Sequence, residues 1–200
     1  MASISPVQSI LSALILTRLV SSFGTETLAG FGIGARLEFL LIPLAFGVGV
    51  TCVSMVGIAI GAGNVDRARR VAWAGGLYAA ALIGAIGLIV AIWPDLWSRL
   101  FTNDRDVLAS ASSYFTWAAP TYSVFGLGLC LFFASQGAGK VLWPVIAGTL
   151  RLLVIVVGGW WLAVSQAPAW SVFALIGIAL SANGLATALA IYMVSWAKRR

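Results

Sequence analysis

Six apolar runs, each long enough to cross a bilayer as a helix, constrain this chain more than any motif in it. Spanning about 30 Å of hydrocarbon takes about 20 helical residues. The runs are Ile4–Ser22, Ile33–Ala62, Val71–Trp93, Ala109–Ala134, Val141–Val164 and Val172–Trp196. Backbone polar groups in lipid must satisfy one another, so runs of this length are expected to be helices. Barrel strands would show alternating segments of about ten residues, which these runs do not. The expected fold is all-α: a polytopic six-helix transmembrane bundle forming a single unit over residues 1–200.

Composition supports a bilayer as the solvent. The chain is 61% hydrophobic and 9% charged, where a soluble domain carries about a quarter charged residues. Mean hydropathy is +1.02. With no histidine and six acidic residues, most acid–base and metal chemistry is excluded. No nucleophile–base constellation exists, so no enzyme and no cofactor is expected. Cys52 and Cys130 lie in apolar runs without metal spacing and read as small packing residues. The net charge of +6 does not point to nucleic acid, because the basic residues sit at run ends rather than in one patch. The first run has no basic segment before it and exceeds the apolar core of a signal peptide, so it is expected to span.

The connections set the orientation. Gly61-Ala62-Gly63-Asn64 carries the punctuation of a helix C-terminus. Arg67, Arg69, Arg70, Lys140, Lys198, Arg199 and Arg200 fall on one side. Arg99 and Arg105 fall on the other, diluted by Asp95, Asp104 and Asp106, with Arg36 at a run entrance. The positive-inside rule then places both termini in the cytoplasm of an inner (plasma) membrane protein. Trp93, Trp97, Trp143, Trp170 and Trp196 are placed as an interfacial belt.

Charges inside apolar runs are the sharpest functional signals. Arg18 and Glu38 sit near the ends of adjoining runs in one hairpin and are expected at matched depth as an ion pair. That pair is either a gate with a proton-responsive carboxylate or a structural contact. Arg151 lies roughly 16 Å beyond Lys140, near the midplane, with no other charge of the chain placed at its depth. Pro43 and Pro120 are expected to bend their helices. Gly84, Gly87, Gly126 and Gly128 permit close helix contact. Gly137-Ala138-Gly139-Lys140 lacks the full phosphate-loop pattern.

Several stretches together resemble the multidrug and toxic compound extrusion (MATE) transporters. They are Leu28-Ala29-Gly30-Phe31-Gly32-Ile33-Gly34-Ala35-Arg36-Leu37-Glu38, Met55-Val56-Gly57, and Gly61-Ala62-Gly63-Asn64 with Arg67-Ala68. Ala119-Pro120-Thr121-Tyr122, Gly126-Leu127-Gly128 and Phe132-Phe133-Ala134-Ser135-Gln136-Gly137-Ala138-Gly139 follow in order. The order matches helices seven to twelve of that family, and the chain resembles its DNA-damage-inducible, proton-coupled bacterial branch. The resemblance implies efflux of small organic, often cationic, drugs. It implies coupling to H⁺ or Na⁺ and alternating access between two six-helix lobes. The second lobe would be a partner chain or a missing N-terminal half. Tyr122 and Gln136 join Arg18, Glu38 and Arg151 as pathway candidates. The acidic residues that some members carry in helices seven and ten have no counterpart in the first and fourth runs. Rival expectations are an inactive remnant or membrane scaffold, and a flippase of lipid-linked oligosaccharides.

Overall fold

The computed structural model describes residues 4–140, 142–193 and 196, with side chains from Val7 onward. The chain is helical: α1 Ile4–Ser21, α2 Thr25–Gly61, α3 Val65–Ile92, α4 Asp95–Ser98, α5 Arg105–Ala118, α6 Tyr122–Gly137, α7 Leu142–Ser165 and α8 Trp170–Met193. Among the described residues five segments are long and apolar enough to cross a membrane: α2, α3, α5 continued into α6, α7 and α8. The first expected span is helical as α1, whose apolar stretch among the residues with described side chains is Val7–Ser21. Val141, where the fifth run was placed to begin, and the basic tail Lys198, Arg199 and Arg200 lie outside the described residues.

Local chemistry sets the helix ends. α2 closes on Gly63, at φ 73°, and the Asn64 amide returns to the Ala59 carbonyl at 2.9 Å. Glycine accepts that left-handed conformation at little cost. Asn64 Oδ1 then accepts from the Arg67 amide at 2.9 Å and starts α3. Asp104 Oδ1 starts α5 by accepting from the Asp106 and Val107 amides. Pro120 sits in a 3-10 turn, Ala119–Thr121, that separates α5 from α6. Pro43, by contrast, lies inside an unbroken α2.

α6 is central, packed on α2, α3 and α8, while α5 bridges α2 and α8, and α1 lies chiefly along α7. Small residues make these approaches possible. A Cβ on Gly84 would sit 2.7 Å from Ser123 Cβ, and one on Gly126 2.9 Å from the Ala79 carbonyl oxygen. Gly128 and Gly87 abut Gly184 and Ala119 in the same way, as their spacing led us to expect. Cys52 and Cys130 are buried with their sulfurs 3.7 Å apart between α2 and α6. Many large apolar side chains point outward, among them Phe39, Leu40, Trp160 and Trp161. A bilayer or a second lobe would cover them; water would not.

Two members of the expected aromatic belt are also tied into the fold. Trp93, Trp143 and Trp170 are exposed, but Trp196 is buried and its indole donates to the Ile191 carbonyl at 3.2 Å. Trp97 donates to the Ile33 carbonyl at 3.0 Å. Each indole N–H has a backbone acceptor within the fold, as a packed indole needs.

Candidate functional site

The site is built where α2 passes between α5 and α7. α2 begins at Thr25, eight residues before the apolar run suggested, because its first turns carry Glu26 and polar residues that hide it. Glu38 therefore lies about 20 Å along the helix at 1.5 Å per residue, not near its end. Arg18 sits in the last turn of α1, is exposed, and makes no ion pair among the described residues. The expected Arg18–Glu38 pair is thus absent, since the true start of α2 puts the two residues at different depths.

Glu38 takes its partner from α5. The Tyr114 hydroxyl donates to Glu38 Oε1. Tyr114 is fully buried, with Phe31, Phe115 and Phe173 edge-on at centroid distances of 6.0, 5.6 and 5.5 Å. Gly34, two residues from Arg36 on α2, provides the space for its ring. The Tyr122 hydroxyl, buried at the start of α6, lies close to the same carboxylate and phenol. It completes no well-formed hydrogen bond among the described residues.

On the open side of Glu38 is a cavity of about 350 Å³ bounded by α1, α2, α6, α7 and α8. Phe31, Phe39, Phe125 and Phe132 contribute aromatic wall, and Gln8, Ser12, Asn183 and Thr187 contribute neutral polar groups. Arg151 enters from α7. Counted from the end of α7, it is about 20 Å deep, the same depth as Glu38. So the charge missing at the depth of Arg151 is supplied by α2. The two do not form an ion pair, and Arg151 Nε is buried without a hydrogen-bond partner among the described residues. Gln8 is engaged, its amide donating to Thr149 Oγ1 at 2.8 Å.

Of the sequence-derived candidates, the fold brings Glu38 and Arg151 together and places Tyr122 beside them. Gln136, exposed near the end of α6, does not reach the cavity. Arg36 stands over the Phe101 ring at 4.9 Å, a cation–π contact away from the site. Tyr114 was missed. A phenol inside an apolar run needs a buried acceptor, and Glu38 was the membrane-depth carboxylate available to it. A second groove of about 510 Å³ between α2 and α3, lined by Gly47, Thr51, Met55 and Tyr78, carries no charged side chain. Among the described residues no three His, Cys, Asp or Glu side chains converge as a metal site would need.

The MatE family model matches residues 4–161. The chain belongs to the MatE family. It is 31% identical over 119 residues to human multidrug and toxin extrusion protein 2, covering 58% of this chain and 19% of that protein. It is 24% identical over 142 residues to the probable multidrug resistance protein YpnP of Bacillus subtilis (strain 168), covering 71% and 32%. The fold resembles the Vibrio cholerae MATE transporter VcmN in its bent form, with a TM-score of 0.83 at 20% identity. That match covers 94% of this chain and 43% of VcmN. A MOP superfamily transporter from Pyrococcus furiosus matches with a TM-score of 0.80 at 19% identity, over 95% and 42%. This MatE chain thus spans under half the length of the transporters it matches.

Proposed function

We propose that this chain is one lobe of a cation-coupled multidrug antiporter, which exchanges H⁺ or Na⁺ for small organic compounds by alternating access against a second six-helix lobe. The observation that carries this is the cavity at membrane depth with Glu38 on one wall and Arg151 on another. Ionisable groups at that depth are costly and mark transport paths. Tyr114 holds one carboxylate oxygen of Glu38, so a cation can arrive at or leave the other without freeing the side chain. Each arrival changes the cavity by one unit of charge where screening is weak. A change of that kind favours different occupants and different packings of the lobes, which is what coupling requires.

The reading places both termini in the cytoplasm of an inner membrane protein. Reporter fusions after Thr102 and after Gly139 should report outside and inside respectively; the opposite pair would overturn that topology. Six helices supply one bundle, and a rocking cavity needs two. Proteoliposomes holding only this chain should show no saturable, cation-coupled drug movement, and co-expression with a matching N-terminal six-helix lobe should restore it. Saturable transport by the chain alone would overturn the two-lobe requirement. No transport with a matching lobe present would favour a scaffold or inactive remnant.

A further inference from the structure

α2 has a second face. Gly47 follows Glu38 by about two and a half turns at 3.6 residues per turn, so the two point to opposite sides of the helix. On the side of Gly47, away from the cavity, α2 and α3 leave the groove of about 510 Å³ between them. Small residues shape it: a Cβ on Gly47 would meet nothing, and Ala74 and Gly75 keep the facing wall of α3 low. The Thr51 hydroxyl in the wall donates within its own helix, to the Gly47 carbonyl at 3.1 Å.

Charge lies at one end of this groove. Arg67, Arg70, Val71, Ala74, Gly75 and Tyr78 recur at spacings of three and four and form one stripe along α3. Arg67 and Arg70 are exposed and make no ion pair among the described residues. Arg69, off the stripe, reaches instead to α8 and donates to the Tyr192 carbonyl at 2.7 Å. Asp66 is exposed and pairs with neither arginine. From Arg67 to Tyr78 is about 16 Å along the helix, close to the roughly 15 Å of hydrocarbon in one leaflet.

We propose that the groove between α2 and α3 binds an anionic phospholipid, its phosphate held by Arg67 and Arg70 and one acyl chain laid between the helices toward Tyr78. Guanidinium groups match phosphate oxygens with parallel N–H donors. Their aliphatic stems lie on apolar surface while the charged ends stay at the water boundary. The apolar trough beyond them is filled by hydrocarbon, which satisfies it where water would not. A zwitterionic lipid offers the same chain but carries a cation beside two arginines. A second lobe is the rival occupant, but it must close the cavity on the Glu38 side of α2, and the groove opens on the other.

The test is native mass spectrometry of the full chain in detergent, titrated with dioleoyl phosphatidylglycerol or dioleoyl phosphatidylcholine. The two share acyl chains and differ in net charge. One phosphatidylglycerol should be retained about tenfold more tightly than phosphatidylcholine, the scale expected when two arginines meet one anionic headgroup. Arg67→Gln combined with Arg70→Gln should bring the two lipids level. Gly47→Leu should fill the groove and weaken both; a Cβ there meets nothing, so the variant should fold. Soluble glycerophosphate, a headgroup without chains, should not displace the lipid. The comparison of lipids on the unaltered chain needs no variant, and equal binding of the two would overturn the proposal. So would a phosphatidylglycerol lead that survives loss of both arginines, or one that Gly47→Leu leaves untouched. Displacement by glycerophosphate would overturn the acyl-chain site and leave two arginines that take free phosphate esters. Loss of the lipid on co-expression with a matching N-terminal six-helix lobe would overturn it as well and make the groove a seam between lobes.

Discussion

The two sides of Glu38 obey different rules. Toward α5 the helix is dry and tight: Tyr114 fills the space beside Gly34, its hydroxyl meets the carboxylate, and three aromatic rings close around it. Toward α7 the helix faces open volume, with a guanidinium that no ion pair holds among the described residues. The first arrangement satisfies polar groups within the chain and so contributes to stability. The second leaves them for something else to satisfy. The same carboxylate takes part in both, which separates residues that keep the lobe folded from residues that give it an occupant.

Substitutions can break or sharpen this division. The largest effect should come from the packed side. A Cβ on Gly177 of α8 would lie 2.6 Å from the Trp117 carbonyl oxygen of α5, backbone that cannot step aside. Gly177→Ala should destabilise the chain by about 2–3 kcal/mol, measured as unfolding in detergent with increasing denaturant. An effect within about 0.5 kcal/mol would show that α5 and α8 are less closely packed than described. Next comes Tyr114→Phe, which keeps the ring and removes the hydroxyl from Glu38. A loss of about 1–2 kcal/mol is expected, and Tyr114→Phe combined with Glu38→Gln should cost less than the sum of the two. Additive losses would mean the hydroxyl and the carboxylate act separately. The smallest stability change should be at Arg151. Arg151→Met removes a half-buried guanidinium that has no partner among the described residues and should leave stability within about 0.5 kcal/mol or raise it. A loss above about 2 kcal/mol would place Arg151 with the packed side and erase the contrast.

Much of this was legible before the helices were placed. Gly63 and Asn64 announced the end of α2, though the start of α3 at Val65 was placed at Val71 because charged residues fill its first turns. Pro120 announced a break, and Gly84, Gly87, Gly126 and Gly128 announced close approach. Each depends on local backbone chemistry, which a sequence carries directly. The depth of Arg151 was also readable, because Lys140 marks a helix start nearby. What failed was the depth of Glu38. Arg36 and Glu38 looked like the edge of an apolar run, so the helix was begun at Ile33. The actual start at Thr25 is polar and extends beyond the apolar run. One misplaced boundary then gave Glu38 the wrong partner. The backbone partners of Trp97 and Trp196 were out of reach for a related reason. An indole at the end of a run looks interfacial, and only three-dimensional packing shows that a carbonyl is waiting inside.

α2 has 37 residues, about 55 Å of continuous helix. Even tilted by about 40° it would project about 42 Å along the membrane normal, more than the hydrocarbon is thick. It is a rod held at both water boundaries, and a push at either boundary travels along it without crossing a loop. Its weakest point is Pro43, where one backbone N–H is missing. That point lies within two turns of Glu38. The one place where the helix lacks a backbone donor therefore lies beside the carboxylate that lines the cavity.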